Sequence, residues 1–157
     1  MNDAAQHPPN GRTLLIVDDE AGVRVSLEFF LSGYGYRVVT ADSGRQAAAL
    51  MDTELIDGAM LDLHMPGMNG IDTCLALHAA ATRLGRPLRV WFMSGAFGRD
   101  FERRCGELGA ICVFRKPFEW PATLDRLVAG FDSPAPKPTP PPGASCVALG
   151  DTENGTA

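Results

Sequence analysis

The chain has 157 residues, of which 45% are hydrophobic and 21% charged, with a formal net charge of -5. That size and balance describe one globular domain with tails, and the acidic balance excludes the basic footprint of a direct nucleic-acid binder. No apolar run is long enough to cross a bilayer and the first twelve residues hold no apolar signal core, so a cytoplasmic protein without membrane association is expected.

Residues 1–11 are polar and proline-bearing and read as a flexible arm. Thr13 to Val17 is a continuous β-prone apolar run, which predicts a strand buried on both faces. It ends at Asp18-Asp19-Glu20. Val23, Leu27, Phe30 and Leu31 then recur at helical spacing, and Gly33 and Gly35 stop that helix. Tyr36 to Ala41 predicts a second strand. Ser43 and Gln46 fit a capping box for a helix running to about Met51.

Ala59-Met60-Leu61 is a short buried strand that ends on Asp62. The Pro66-Gly67 turn follows, and Asn69 caps a third helix carrying Ile71, Cys74, Leu75, Leu77 and His78 as far as Leu84-Gly85. Leu88 to Met93 is a fourth strand, stopped by Ser94-Gly95. A short helix holds Phe101, Cys105 and Leu108 and ends at Gly109. Ile111 to Arg115 is a fifth strand, stopped by Lys116-Pro117. A last helix starts near Glu119, takes Pro121 in its first turn and buries Leu124, Leu127 and Val128.

From Ser133 the sequence becomes proline-rich, and 132–157 is expected to be a disordered tail behind a folded unit spanning 12–131. Cys74, Cys105, Cys112 and Cys146 form no C-x-x-C pair, which points to reduced thiols rather than a disulfide framework. Strands alternating with helices predict an α/β fold with a parallel five-stranded sheet covered on both faces.

In such a sheet every strand's carboxyl end lies on one edge, where ligands bind. The residues at those ends are Asp18, Asp19, Asp62, Ser94 and Lys116. Carboxylates about 4 Å apart repel by roughly 4 kcal/mol at an effective dielectric near 20, so the cluster calls for a cation. Carboxylate oxygens with a backbone carbonyl suit Mg²⁺, which often bridges to phosphate. Lys116 and Ser94 would hold an anion beside it. Together these groups describe phosphoryl transfer to Asp62.

Four segments carry a resemblance: Val17-Asp18-Asp19-Glu20, Leu61-Asp62 through Asn69-Gly70, Met93-Ser94-Gly95 and Lys116-Pro117-Phe118. In this order, at these strand ends, they resemble the receiver domain of two-component response regulators, of the stand-alone type. The resemblance implies a (βα)5 doubly wound, flavodoxin-like sheet of order 2-1-3-4-5. It implies a signalling phosphoprotein that catalyses only its own aspartyl phosphorylation and dephosphorylation. Asp62 would be the phosphoacceptor, receiving the group from a sensor histidine kinase or a histidine phosphotransfer protein. Asp19, Asp62 and the His64 carbonyl would hold Mg²⁺ directly, Asp18 would hold it through water, and Ser94 and Lys116 would hold the phosphoryl oxygens. The Lys116-Pro117 bond would be cis. No output domain is expected to be attached, the downstream target is open, and a phosphorylation-dependent dimer is compatible with the resemblance.

Two positions depart from that family's pattern. Val113 stands where receivers usually carry Tyr or Phe, and Phe114 is one residue away, on the opposite face of the strand. His64 stands two residues after Asp62, a position that in the family affects the lifetime of the phosphoryl group.

Simpler readings exist for single residues. Asp18 and Asp19 would favour the start of any helix, and Ser94 alone would be a turn residue. His64 reads as a solvated loop side chain, and His7 and His78 carry no claim. Three rival functions compete with this reading. A haloacid-dehalogenase-type phosphatase needs a second Asp where His64 stands. A pseudo-receiver binding module would not need the full acidic, hydroxyl and lysine set. A flavodoxin-like cofactor binder would need a phosphate-cradling loop where Asp18-Asp19 would repel an anion.

Overall fold

The computed structural model describes residues 10–139. Five strands alternate with five helices: β1 (Thr13–Val17), α1 (Ala21–Gly33), β2 (Arg37–Ala41), α2 (Gly44–Thr53), β3 (Gly58–Asp62), α3 (Gly70–Leu84), β4 (Arg89–Ser94), α4 (Arg99–Arg104), β5 (Val113–Arg115) and α5 (Ala122–Asp132). The sheet is parallel throughout, in the order β2-β1-β3-β4-β5, which is the flavodoxin-like doubly wound arrangement. The chain steps outward from β1 to β2 and then returns to the other side of β1 for β3. This reversal opens a crevice at the carboxyl ends of β1 and β3.

The two-residue period of the strands divides the core in two. Leu14, Ile16, Met60, Trp91, Met93 and Phe114 face α1 and α5, where Leu27, Leu31, Leu127 and Phe131 cover them. Leu15, Val17, Ala59, Leu61, Val90, Phe92 and Val113 face the other way, under Ala47, Met51, Cys74 and Leu77 of α2 and α3. Burying a large aliphatic or aromatic side chain stabilises by about 1.5–3 kcal/mol, so these two layers fix the register of every strand.

Local signals set most boundaries. Ser43 Oγ accepts from the Gln46 backbone N–H at 3.2 Å, while the Gln46 side chain reaches the N–H of Asp42 at 2.8 Å, one residue before the cap. Asn69 Oδ1 accepts from Asp72 N–H at 2.9 Å and starts α3. Two expectations need correction. α4 is shorter than its sequence pattern: regular helix stops at Arg104, and Leu108 belongs to a closing turn. That turn is a Schellman closure. Ala110 N–H bonds the Cys105 carbonyl at 2.8 Å, Gly109 N–H bonds the Gly106 carbonyl at 3.1 Å, and Gly109 takes φ 86°.

α5 also differs. It begins at Ala122, with Pro121 just outside as the capping residue, and it buries Thr123, Leu127, Gly130 and Phe131. Val128 is 42% exposed. The reason is Gly130, where a Cβ would stand 2.6 Å from Trp91 Cζ2. The close approach of Trp91 centres the buried stripe on Leu127 and Phe131 and leaves Val128 on its shoulder. The Lys116-Pro117 bond is cis, and so is Trp120-Pro121.

Among the described residues no helix is long and apolar enough to cross a membrane. Most of the expected N-terminal arm, and the tail from residue 140, lie outside the described residues. Residues 133–139 are described and rest on the fold.

Candidate functional site

β1 ends in the crevice and delivers Asp18, which is fully buried. Three contacts fix it. Its Oδ1 accepts from Glu20 N–H at 2.9 Å, its carbonyl accepts from Arg24 Nη1 at 2.7 Å, and its own N–H bonds the Ala41 carbonyl at 3.2 Å. Asp19, next along, is exposed at the rim. β3 delivers Asp62, which is 5% exposed. The turn after it must fold back tightly to start α3. Gly70 permits this, because a Cβ there would stand 2.3 Å from the Asp62 carbonyl oxygen. Its N–H bonds the Leu63 carbonyl at 3.2 Å.

β5 brings in Lys116, whose backbone N–H bonds the Ser94 carbonyl at 2.9 Å. Its ammonium donates to Asp18 Oδ2 at 2.6 Å and lies 3.3 Å from Asp62 Oδ1. One cation thus bridges the carboxylates of β1 and β3. Burial alone would push the Lys116 ammonium down. Asp18 and Asp62 outweigh that and leave its pKa above the ordinary lysine value. Asp62 moves upward as well, first through burial and then through the neighbouring Asp18 charge, with Lys116 and the His64 N–H opposing.

The carboxylates of Asp18, Asp19 and Asp62 each offer an oxygen within 4.8 Å of the others. At that spacing two charges repel by about 3–4 kcal/mol at an effective dielectric near 20. Lys116 faces only Asp18 and Asp62, so acceptor capacity is left over. The donor set is hard and all oxygen, and it fits a divalent cation such as Mg²⁺.

Ser94 is fully buried at the end of β4. Its hydroxyl is turned to its own loop: Oγ donates to the Ala96 carbonyl at 2.8 Å and accepts from Ala96 N–H at 3.1 Å. Next to Ala96, the Phe97 ring lies under the Arg115 guanidinium, which is 4.3 Å from the ring centroid. Val113 is buried in the layer under α2 and α3, while Phe114 sits in the opposite layer over α1 and α5. His64 is exposed beside the crevice.

Asp18, Asp62, Ser94 and Lys116 therefore meet at one edge with Asp19 at its rim, as their places in the sequence predict. The Arg24 bond and the Phe97–Arg115 pair were not legible. Arg24 lies one helical turn past the acidic cluster, a weak signal that it reaches back. Nothing local marks Phe97 as the partner of Arg115, because strand pairing alone brings Ser94 opposite Arg115.

The chain is similar to known proteins. The family model described as the response regulator receiver domain matches residues 14–128. Sporulation initiation phosphotransferase F of Bacillus subtilis is 33% identical over 106 residues, 68% of this chain and 82% of that protein. The transcriptional regulatory protein PhoP for alkaline phosphatase synthesis, from the same organism, is 34% identical over 108 residues, 68% of this chain but 43% of its own length. Among solved structures, the CheX–CheY–BeF3–Mg complex from Borrelia burgdorferi gives a TM-score of 0.66 at 27% identity, covering 76% of this chain and 89% of that one.

Proposed function

This chain belongs to the response regulator receiver family of two-component systems, and we propose that it accepts a phosphoryl group on Asp62 from the phosphohistidine of a kinase or a histidine phosphotransfer protein. The observation that carries this is the Lys116 ammonium held between Asp18 and Asp62 at 2.6 and 3.3 Å. It opposes the upward push that burial and Asp18 exert on the Asp62 carboxyl, and it stands ready to meet an incoming anion.

In the reaction a carboxylate oxygen of Asp62 attacks phosphorus and the N–P bond of the donor breaks. The electron pair stays on the imidazole nitrogen, which takes a proton from solvent. Asp19, Asp62 and the His64 carbonyl would hold Mg²⁺ directly and Asp18 through water; bound there, the metal would neutralise charge on the phosphoryl oxygens. Lys116 would shift from Asp62 to one of those oxygens, and Ser94 would leave Ala96 for another. The donor would approach along an apolar groove that ends at Lys116, lined by Val23, Phe30, Phe118 and Trp120. Cys74, Cys105 and Cys112 are free thiols, which supports a reducing, cytoplasmic setting.

With acetyl phosphate and Mg²⁺, intact mass spectrometry is expected to find one added phosphoryl group on the wild type and none on Asp62→Asn. Undiminished labelling of Asp62→Asn would refute the assignment.

A further inference from the structure

The proline-rich stretch after α5 turns back along the molecule. Just past the helix, the Ser133 carbonyl accepts two bonds from the Arg89 guanidinium, from Nε at 3.1 Å and Nη2 at 2.9 Å. Arg89 opens β4, so this contact lies at the amino edge of the sheet, away from the acidic crevice. The stretch then reaches the corner between α4 and β5. There Thr139 N–H donates to the Glu107 carbonyl at 2.8 Å.

Pro138 covers Gly109, the residue that closes the α4 turn. A Cβ at Gly109 would stand 2.7 Å from Pro138 Cδ and 2.8 Å from its nitrogen. The absent side chain therefore serves both the left-handed turn and the approach of the proline. On the inner side, His78 of α3 lies 2.6 Å by its Nε2 from the Gly109 carbonyl. The corner is held between α3 beneath and the returning chain above.

α4 has need of such a fastening. It spans six residues, none of them buried. A helix this short does not hold itself, and its neighbours must fix it. Its closing turn is anchored inward by Cys105 and Ala110, which are buried, and by Leu108, which is partly so. Pro134, Pro136 and Pro138 alternate through the returning stretch and reduce the chain entropy lost on docking.

We propose that residues 133–139 are an intramolecular strap that ties the end of α5 to the α4–β5 corner, so that the freedom of the closing turn of α4 is set by the segment beyond the last helix. This does not depend on the phosphoryl chemistry, since the strap and the crevice lie at opposite edges of the sheet.

Hydrogen exchange read by mass spectrometry tests it. Three forms are compared: the full chain, the full chain with Thr139→Pro, and the chain ended at Asp132. Thr139→Pro deletes the N–H that reaches Glu107 and stiffens the strap at an exposed position, with no buried side chain altered. Amides of residues 105–111 are expected to exchange about fivefold faster in both variants. Amides of β1 and β3 should be unchanged, which reports an intact fold. Unchanged exchange at 105–111 in Thr139→Pro would overturn the far anchor and the strap with it, whatever the truncated chain does.

Discussion

Asp62 carries the charge conflict on which the site turns. Burial and the Asp18 carboxylate both raise its pKa, and Lys116 offsets only part of this. A carboxyl group with a raised folded pKa favours the folded state below its unfolded value of about 3.9 and loses that contribution as pH rises through the folded value. At neutral pH the wild type without metal therefore bears a penalty that Asp62→Asn does not. Without Mg²⁺ the variant is expected to melt about 3–8 °C higher near pH 7, with the gap narrowing toward pH 4. Mg²⁺ should act unequally on the two. At 100 times Kd it would stabilise the wild type by about 2.7 kcal/mol, and it should do much less for Asp62→Asn. A wild type whose melting temperature ignores Mg²⁺ would count against the three-carboxylate pocket.

At the scale of elements, the proposed link from crevice to surface would run through the loop between β4 and α4. The Ser94 hydroxyl is satisfied twice by Ala96. A phosphoryl group on Asp62 can shift this loop only by offering Ser94 a better partner. Taking it would release Ala96 and move Phe97, whose ring is held by Arg115. Val113 contributes no aromatic ring and no hydroxyl, so on the proposed reading the loop and α4 would carry the change. Beryllofluoride with Mg²⁺ should give large NMR shifts from Ser94 to Arg103 and small ones at Val113. Shifts confined to α1 and α2 would contradict this route. The surface that changes would be that of α4, β5 and α5, with Arg99, Arg103 and Arg115 on it. The elements themselves were legible wherever a local rule governs them. Ser43 and Asn69 mark helix starts through their side-chain oxygens, and Gly109 marks a helix end through its left-handed backbone. The regular length of α4 and the face of α5 were not legible, because they depend on partners distant in sequence. Gly130 admits Trp91 and turns α5, and that contact crosses from β4.

Across the whole molecule, the site exists because the topology gathers residues 18 to 116 onto one edge. Asp18 and Lys116 are separated by 98 positions and end 2.6 Å apart. No short-range pattern dictates that distance; parallel strands with right-handed crossovers do. The candidate residues could therefore be named from strand ends alone. Their pairing could not: which carboxylate Lys116 favours, and that Ser94 turns to its own loop, are settled by packing. On the proposed reading this edge directs one phosphoryl group to one carboxylate. Borohydride reduction of acetyl-phosphate-treated protein converts an acyl phosphate to an alcohol, and peptide mapping then locates it. Homoserine in place of Asp62, with Asp18 and Asp19 intact, is the predicted result. Homoserine at position 18 or 19, or none in a protein that carries the added mass, would contradict it.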